Sequence, residues 1–143
     1  MTINQLSIFV ENKTGTIVEI AEKIAEAGVS IRALSVADTQ GFGILRLIVS
    51  DIEKAKEVLS LNNCVVSVTK VLGVEIPDVP GGLSKVLRVM TDSGINVEYL
   101  YAFITVAGEN AYVVLRVEDN EKAEKVLLDA GIKIVTQQDI DNL

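Results

Sequence analysis

The sequence predicts an α+β protein made of two β-α-β-β-α-β units in tandem, each an antiparallel sheet with both helices on one face. The main observation is that the chain is written twice. Shifted by 66 residues, Leu6 falls on Leu72, Gly15 on Gly81, Gly28 on Gly94 and Leu34 on Leu100. Between these identities apolar types match: Ile8 with Val74, Val10 with Ile76, Ile17 with Leu83, Ile20 with Val86 and Ile24 with Met90. After residue 45 the shift becomes 68, and Asp51, Glu53, Lys54, Ala55, Val58 and Leu59 coincide with Asp119, Glu121, Lys122, Ala123, Val126 and Leu127. The two extra residues fall around Gly108-Glu109-Asn110, where a hairpin turn tolerates insertion. The second observation is that, within each copy, apolar spacing switches between a period of two and a helical period. The length of 143 residues alone allows one domain or two small ones, and the repeat selects two, 1–68 and 69–143.

In the first copy Leu6, Ile8 and Val10 alternate with other residues and mark a strand. A helix follows, with Ile17, Ile20, Ala21 and Ile24 on one face and Glu19, Glu22, Lys23 and Glu26 on the other. Gly28 ends it, because glycine adopts the left-handed conformation of a helix C-terminus without steric cost. Strands are expected over 29–37 and 44–50, joined by a turn at Gly41 and Gly43. Asp51 suits the N-cap of a second helix carrying Ile52, Ala55, Val58 and Leu59, and 64–68 forms the last strand. The second copy repeats this with strand 71–76, helix 81–93, strands 95–105 and 111–118, helix 119–130 and strand 132–136. This order closes as a ferredoxin-like sheet.

The sheet face away from the helices is expected to be polar if it meets water. Here it holds Ile44, Arg46 and Ile48 in the first copy and Tyr112, Val114 and Arg116 in the second. Tyr99, Tyr101 and Phe103 alternate along a neighbouring strand. Such a face points to burial, against the other sheet or another chain.

Two loops carry the functional signal, each between a first strand and a first helix. They read Asn12-Lys13-Thr14-Gly15-Thr16-Ile17 and Asp78-Val79-Pro80-Gly81-Gly82-Leu83. Each offers a short polar side chain, a turn, and a glycine where the backbone can approach a ligand. The unpaired amides of the following helix start can meet an anion or a carboxylate. Capping and turn chemistry alone also account for these residue types.

A strand, then [Asp/Asn]-x-Pro-Gly-x-Leu, a helix, and Gly-[Ile/Val]-Asn-[Ile/Val] opening the next strand resembles the ACT domain. The second copy fits with Asp78 to Leu83 and Gly94-Ile95-Asn96-Val97. The first fits more loosely: Thr14 replaces the proline and Ser30 the asparagine. Together the copies cover nearly the whole chain. The resemblance implies a regulatory module that binds a small metabolite, usually an amino acid, at clefts where two ACT units meet, commonly serving a metabolic enzyme. It nominates Asn12, Gly15 and Ser30 in the first copy and Asp78, Gly81, Gly82 and Asn96 in the second. A zwitterion needs acceptors for its ammonium and donors for its carboxylate. Asp78 offers the first, the Gly81 and Gly82 amides the second, and Asn96 both. Family members often place a histidine just before the loop, where this chain has Val10 and Ile76. A homodimer is the expected assembly.

Other classes are excluded on chemistry. The chain has no histidine, which rules out a Ser-His-Asp triad and a His-bound metal, and no cofactor motif is present. Thirteen basic against 20 acidic residues give a net charge of −7, opposed to nucleic-acid binding. Gln40-Gly41-Phe42-Gly43-Ile44-Leu45-Arg46-Leu47 resembles the third-strand motif of an RNA-recognition module. It lacks the leading basic residue, and Ile44 and Leu47 stand where stacking aromatics are needed. Asp51, Glu53, Asp119 and Glu121 open helices and favour the dipole rather than acid-base chemistry. Lys70, Lys85 and Arg88 read as isolated, solvated cations. The single Cys64 forms no internal disulfide and reads as a buried small hydrophobe. With no signal peptide and no apolar run of membrane-spanning length, a cytoplasmic, non-catalytic protein is expected.

Overall fold

The computed structural model describes residues 1–104 and 108–143. The chain forms two compact units, Asn4–Thr69 and Lys70–Leu143, with Met1–Ile3 belonging to the latter. The elements are β1 (Ile3–Glu11), α1 (Thr16–Glu26), β2 (Ile31–Asp38), β3 (Phe42–Val49), α2 (Ile52–Leu61), β4 (Val65–Pro77), α3 (Gly82–Asp92), β5 (Val97–Ala102), β6 (Asn110–Val117), α4 (Asn120–Asp129), β7 (Lys133–Val135) and α5 (Gln137–Asp141). The β-α-β-β-α-β order is present twice, and all resolved ladder pairings within the units are antiparallel. The first unit has the strand order β2-β3-β1-β4, and the second β5-β6-β4-β7.

The two cores use equivalent positions. Leu6, Ile8, Ile20, Ile24, Leu45, Leu47, Ala55 and Leu59 are buried together in the first. Leu72, Val74, Val86, Met90, Val113, Leu115, Ala123 and Leu127 are buried together in the second. In each, the apolar stripes of both helices close over the alternate residues of the strands. Ile17 does not join this core as the helical pattern suggested: it is 44% exposed, and its counterpart Leu83 is 36% exposed. Both sit in the first turn of their helices, beyond the reach of the packed stripe.

Several boundaries differ from expectation. The expected strands 64–68 and 71–76 are one strand, β4, because Val65 to Leu72 is rich in β-branched residues without a glycine or proline to break it. β5 ends at Ala102 rather than 105, and Thr105 lies outside the described residues. The sequence also gave no notice of α5, whose start carries a capping box: Thr136 Oγ1 accepts from the Asp139 amide, and Asp139 Oδ2 accepts from the Thr136 amide at 2.8 Å. Those bonds hold the Asp139 carboxyl below its ordinary pKa.

The apolar face away from the helices is partly buried, as its composition suggested: Ile48 and Val114 are 1% and 0% exposed. The four clustered aromatics pair within the second unit. Tyr99 and Tyr101 stack with centroids 6.5 Å apart, and Phe103 meets Tyr112 edge-on at 5.6 Å.

Asp51 and Asp119 act as the N-caps their positions implied, each accepting a 3.0 Å hydrogen bond from the amide three residues on. Replacing either by alanine is expected to cost about 1 kcal/mol. The measurement is urea unfolding, where the midpoint falls and the slope stays unchanged.

Candidate functional site

Among the described residues, three of the five helices begin with a capping side chain, at Asp51, Asp119 and Thr136. α1 and α3 do not: their N-caps are Gly15 and Gly81, both left-handed, at φ 92° and 88°, with no side-chain hydrogen bond to the first turn. These are the two helices that follow the candidate loops. A left-handed residue lets the strand turn sharply into the helix, and a side chain there would be strained. At Gly82 the limit is space as well, because a Cβ would collide with the Pro77 carbonyl oxygen. The loops are tied down alike in both copies. The Asn12 amide donates to the Gly41 carbonyl and the Asp78 amide to the Glu109 carbonyl, both at 3.2 Å. Asp78 does not cap α3. Its side chain is exposed and makes no hydrogen bond among the described residues.

Beside each loop lies a cleft of about 500 Å³, at the same place in each copy. In the first unit Val10, Thr16, Glu19, Leu59, Asn63 and Cys64 contribute to its walls. In the second the corresponding residues Ile76, Gly82, Lys85, Gly131 and Ile132 do so, with Gly81, Glu75, Asn110 and Lys133. One wall is therefore the loop and helix start, and the other is the turn entering the unit's last strand. That turn needs a left-handed residue in both copies, Gly131 at φ 73° and Asn63 at φ 61°. Sequence reasoning did not find this second wall.

The chemistry of the two clefts has diverged. Glu75 Oε2 forms an ion pair with Lys133 Nζ at 2.5 Å, and its Oε1 accepts from Asn110 Nδ2 at 2.6 Å. Where the second unit has Glu75, Asn110 and Lys133, the first has Phe9, Phe42 and Val65, which are 58%, 58% and 66% exposed. In the first cleft Thr16 Oγ1 is buried and has no hydrogen-bond partner among the described residues. Cys64 is half-buried rather than a core residue, and burial pushes its thiol pKa up, away from thiolate chemistry. Arg88, read as an isolated cation, faces Asp92 at 3.8 Å.

The nominated residues do not gather at one place within a unit. Asn12 and Gly15 follow the end of β1, beside the start of β3, whereas Ser30 lies at the far end of β3. There its amide donates to Ser50 Oγ at 2.9 Å. Asp78, Gly81 and Gly82 likewise sit at one end of β6, and Asn96 lies at the other in a separate hollow with Glu98, Glu118 and Lys122. An eight-residue strand separates the groups by roughly 20 Å. Gly81 and Gly82 line the second cleft directly, and Asp78 lies between its wall residues Pro77 and Val79. Among the described residues no cluster of three or more metal-ligating side chains occurs, and no helix is long and apolar enough to cross a membrane.

A duplicated ferredoxin-like protein with a glycine-started helix and a cleft in each copy is the class these features define. The ACT domain pair family matches residues 1–143, and the chain belongs to it. A solved protein from Bacteroides thetaiotaomicron is 38% identical, with the match covering 100% of this chain and 98% of that one at a TM-score of 0.91. The ligand-free regulatory subunit of aspartate kinase from Thermus thermophilus shares the fold at 16% identity, a TM-score of 0.64, and coverage of 89% and 91%. Its Thermus flavus counterpart does so at 15% identity, a TM-score of 0.61, and coverage of 90% and 92%. No curated protein matches the chain.

The Lys133 ammonium beside Glu75 holds that carboxyl below its ordinary value near 4.5, against an opposing effect of burial. A depressed folded-state pKa stabilises the fold above the ordinary value, and that stabilisation disappears as pH falls through the lowered one. The melting temperature is expected to drop as the pH is taken below about 4.5. In Glu75→Gln the same acid limb should be flatter, which differential scanning calorimetry across about pH 2.5–6 checks.

Proposed function

We propose that the chain is a non-catalytic regulatory module that binds a small metabolite, an amino acid, at clefts formed where ACT units pair, and that it acts as a cytoplasmic homodimer. The observation that carries the reading is the helix start without a capping side chain, led by a left-handed glycine and repeated beside a cleft in both copies. The Gly82 amide already donates to the Val79 carbonyl at 3.0 Å, so it is the following first-turn amides, which no side chain caps, that suit an α-carboxylate, and the Asp78 carboxylate suits an α-ammonium. Because Asn12 and Ser30, like Asp78 and Asn96, stand at opposite ends of their own units, a ligand using both kinds of residue takes them from two units. The fold shared with aspartate kinase regulatory subunits supports a place beside a metabolic enzyme.

A second reading is a docking module that needs no ligand. It is favoured by one observation, the exposed apolar set Phe9, Phe42 and Val65 on the first unit.

Thermal unfolding in the presence of each common amino acid separates the two, since a ligand that binds only the native state raises its stability. Sensing requires a concentration-dependent rise for at least one amino acid. No rise from any of them at about 100 times a micromolar-range Kd, where roughly 2.7 kcal/mol is expected, favours docking. Asp78→Ala is expected to abolish binding at the second unit, and unchanged calorimetric affinity in that variant would remove Asp78 from the site.

A further inference from the structure

We propose that Glu75 braces the second cleft, joining its loop wall to its β7 wall so that the gap is preformed, a device the first cleft lacks. Its value to a ligand rests on the sensing reading, whereas the brace itself does not. Glu75 stands on β4 between β6 and β7, opposite Tyr112 on one side and Lys133 on the other. Its two oxygens are used in different directions. Oε1 accepts from Asn110 Nδ2, and Oε2 pairs with Lys133 Nζ. All three residues line the cleft. Asn110 is preceded by Glu109, whose carbonyl accepts from the Asp78 amide at 3.2 Å. A continuous path of bonds therefore runs from the loop through Glu109 and Asn110 to Glu75, and on to Lys133 at the head of β7. The Glu75 side chain is only 15% exposed, and bonds to a charged acceptor shielded from water are stronger than those at an open surface.

Strand length explains why one copy needs this brace and the other does not. β7 has 3 residues, Lys133–Val135, and is the shortest strand among the described residues. Such a strand carries few ladder bonds, and segments of that kind open locally at low free energy. The turn that forms the cleft wall, Gly131 and Ile132, leads straight into it, so holding Lys133 holds the wall. The equivalent turn of the first unit, Asn63 and Cys64, leads into β4, which has 13 residues. There the path of bonds stops early. The Asn12 amide reaches the Gly41 carbonyl in the same way, but the residues beyond are Phe42, Phe9 and Val65, whose side chains have no hydrogen-bonding group. A preformed cleft spares a ligand the cost of ordering its walls.

The test is amide hydrogen exchange followed by NMR on the full chain without ligand, comparing wild type with Glu75→Ala and Glu75→Gln. Both walls carry hydrogen-bonded amides to read, Asp78 and Gly82 at the loop, Gly131 and Ile132 at the turn. Glu75→Ala is expected to speed exchange at both walls about tenfold, as the loss of hydrogen bonds to a charged group implies. The equivalent amides of the first unit, Asn12 and Cys64, should keep their wild-type rates. Glu75→Gln retains an acceptor for Asn110 and loses the charge that holds Lys133. It should therefore speed Gly131 and Ile132 while leaving Asp78 and Gly82 at wild-type rates. Circular dichroism checks that both variants are folded. In Glu75→Ala, acceleration confined to the turn, acceleration at neither wall, or a uniform acceleration of both units overturns the brace, and each leaves the sensing reading in place. Failure of every amino acid to stabilise the protein overturns the sensing reading and leaves the exchange result standing.

Discussion

The turn from first strand to first helix is the constraint on which each unit depends. It must reverse the chain within a few residues, deliver the helix onto the sheet, and leave the core stripe of Ile20 and Ile24, or Val86 and Met90, facing inward. A left-handed residue achieves the reversal, and only glycine does so without strain. One consequence is that no side chain is available to cap the helix, as Asp51 and Asp119 cap α2 and α4. The same geometry that closes the fold therefore leaves polar amides beside a cleft. In α3 the constraint is tighter, because the Pro77 carbonyl leaves no room for a Cβ at Gly82.

Once the backbone is fixed in this way, duplication leaves the side chains around the cleft free to diverge. The core positions stay apolar in both copies, because each is packed against several neighbours and loss of volume there is costly. The positions around the cleft have no such demand on them. Phe9, Phe42 and Val65 correspond to Glu75, Asn110 and Lys133, an exposed apolar set in one unit and a hydrogen-bonded polar set in the other. Neither exchange disturbs the ladder that sets these residues side by side, since Glu11 opposes Phe42 as Pro77 opposes Asn110. Register is specified by the buried face, and chemistry is chosen on the other.

This division explains what the sequence disclosed. The fold was legible because its determinants are periodic and occur twice: the alternation of Leu6, Ile8 and Val10, the helix stripe, the aspartate caps and the glycine stops. The loop wall of the cleft was legible because a left-handed glycine after a short polar residue is a local signal. The opposite wall was not, because Gly131, Ile132 and Lys133 lie some 50 residues from Gly81 and reach it only through the pairing of β7 with β4. The resemblance named Ser30 and Asn96 beside the loop residues, and strand direction places them at the other end of their sheets.

The acidity of the whole chain and the two lysines of the second cleft act over different distances. At physiological salt, charges more than about 8 Å apart across solvent are largely screened. A ligand seated in a cleft responds to the groups on its walls, where water is partly excluded and each charge is felt more strongly. The net charge of −7 instead governs the approach, slowing encounter with anions and holding polyanions away. A nucleic acid is held by many cations spread along an extended surface. A small carboxylate needs only a few donors at one point. Overall charge thus bears on long-range approach, and local placement on what a cleft can hold.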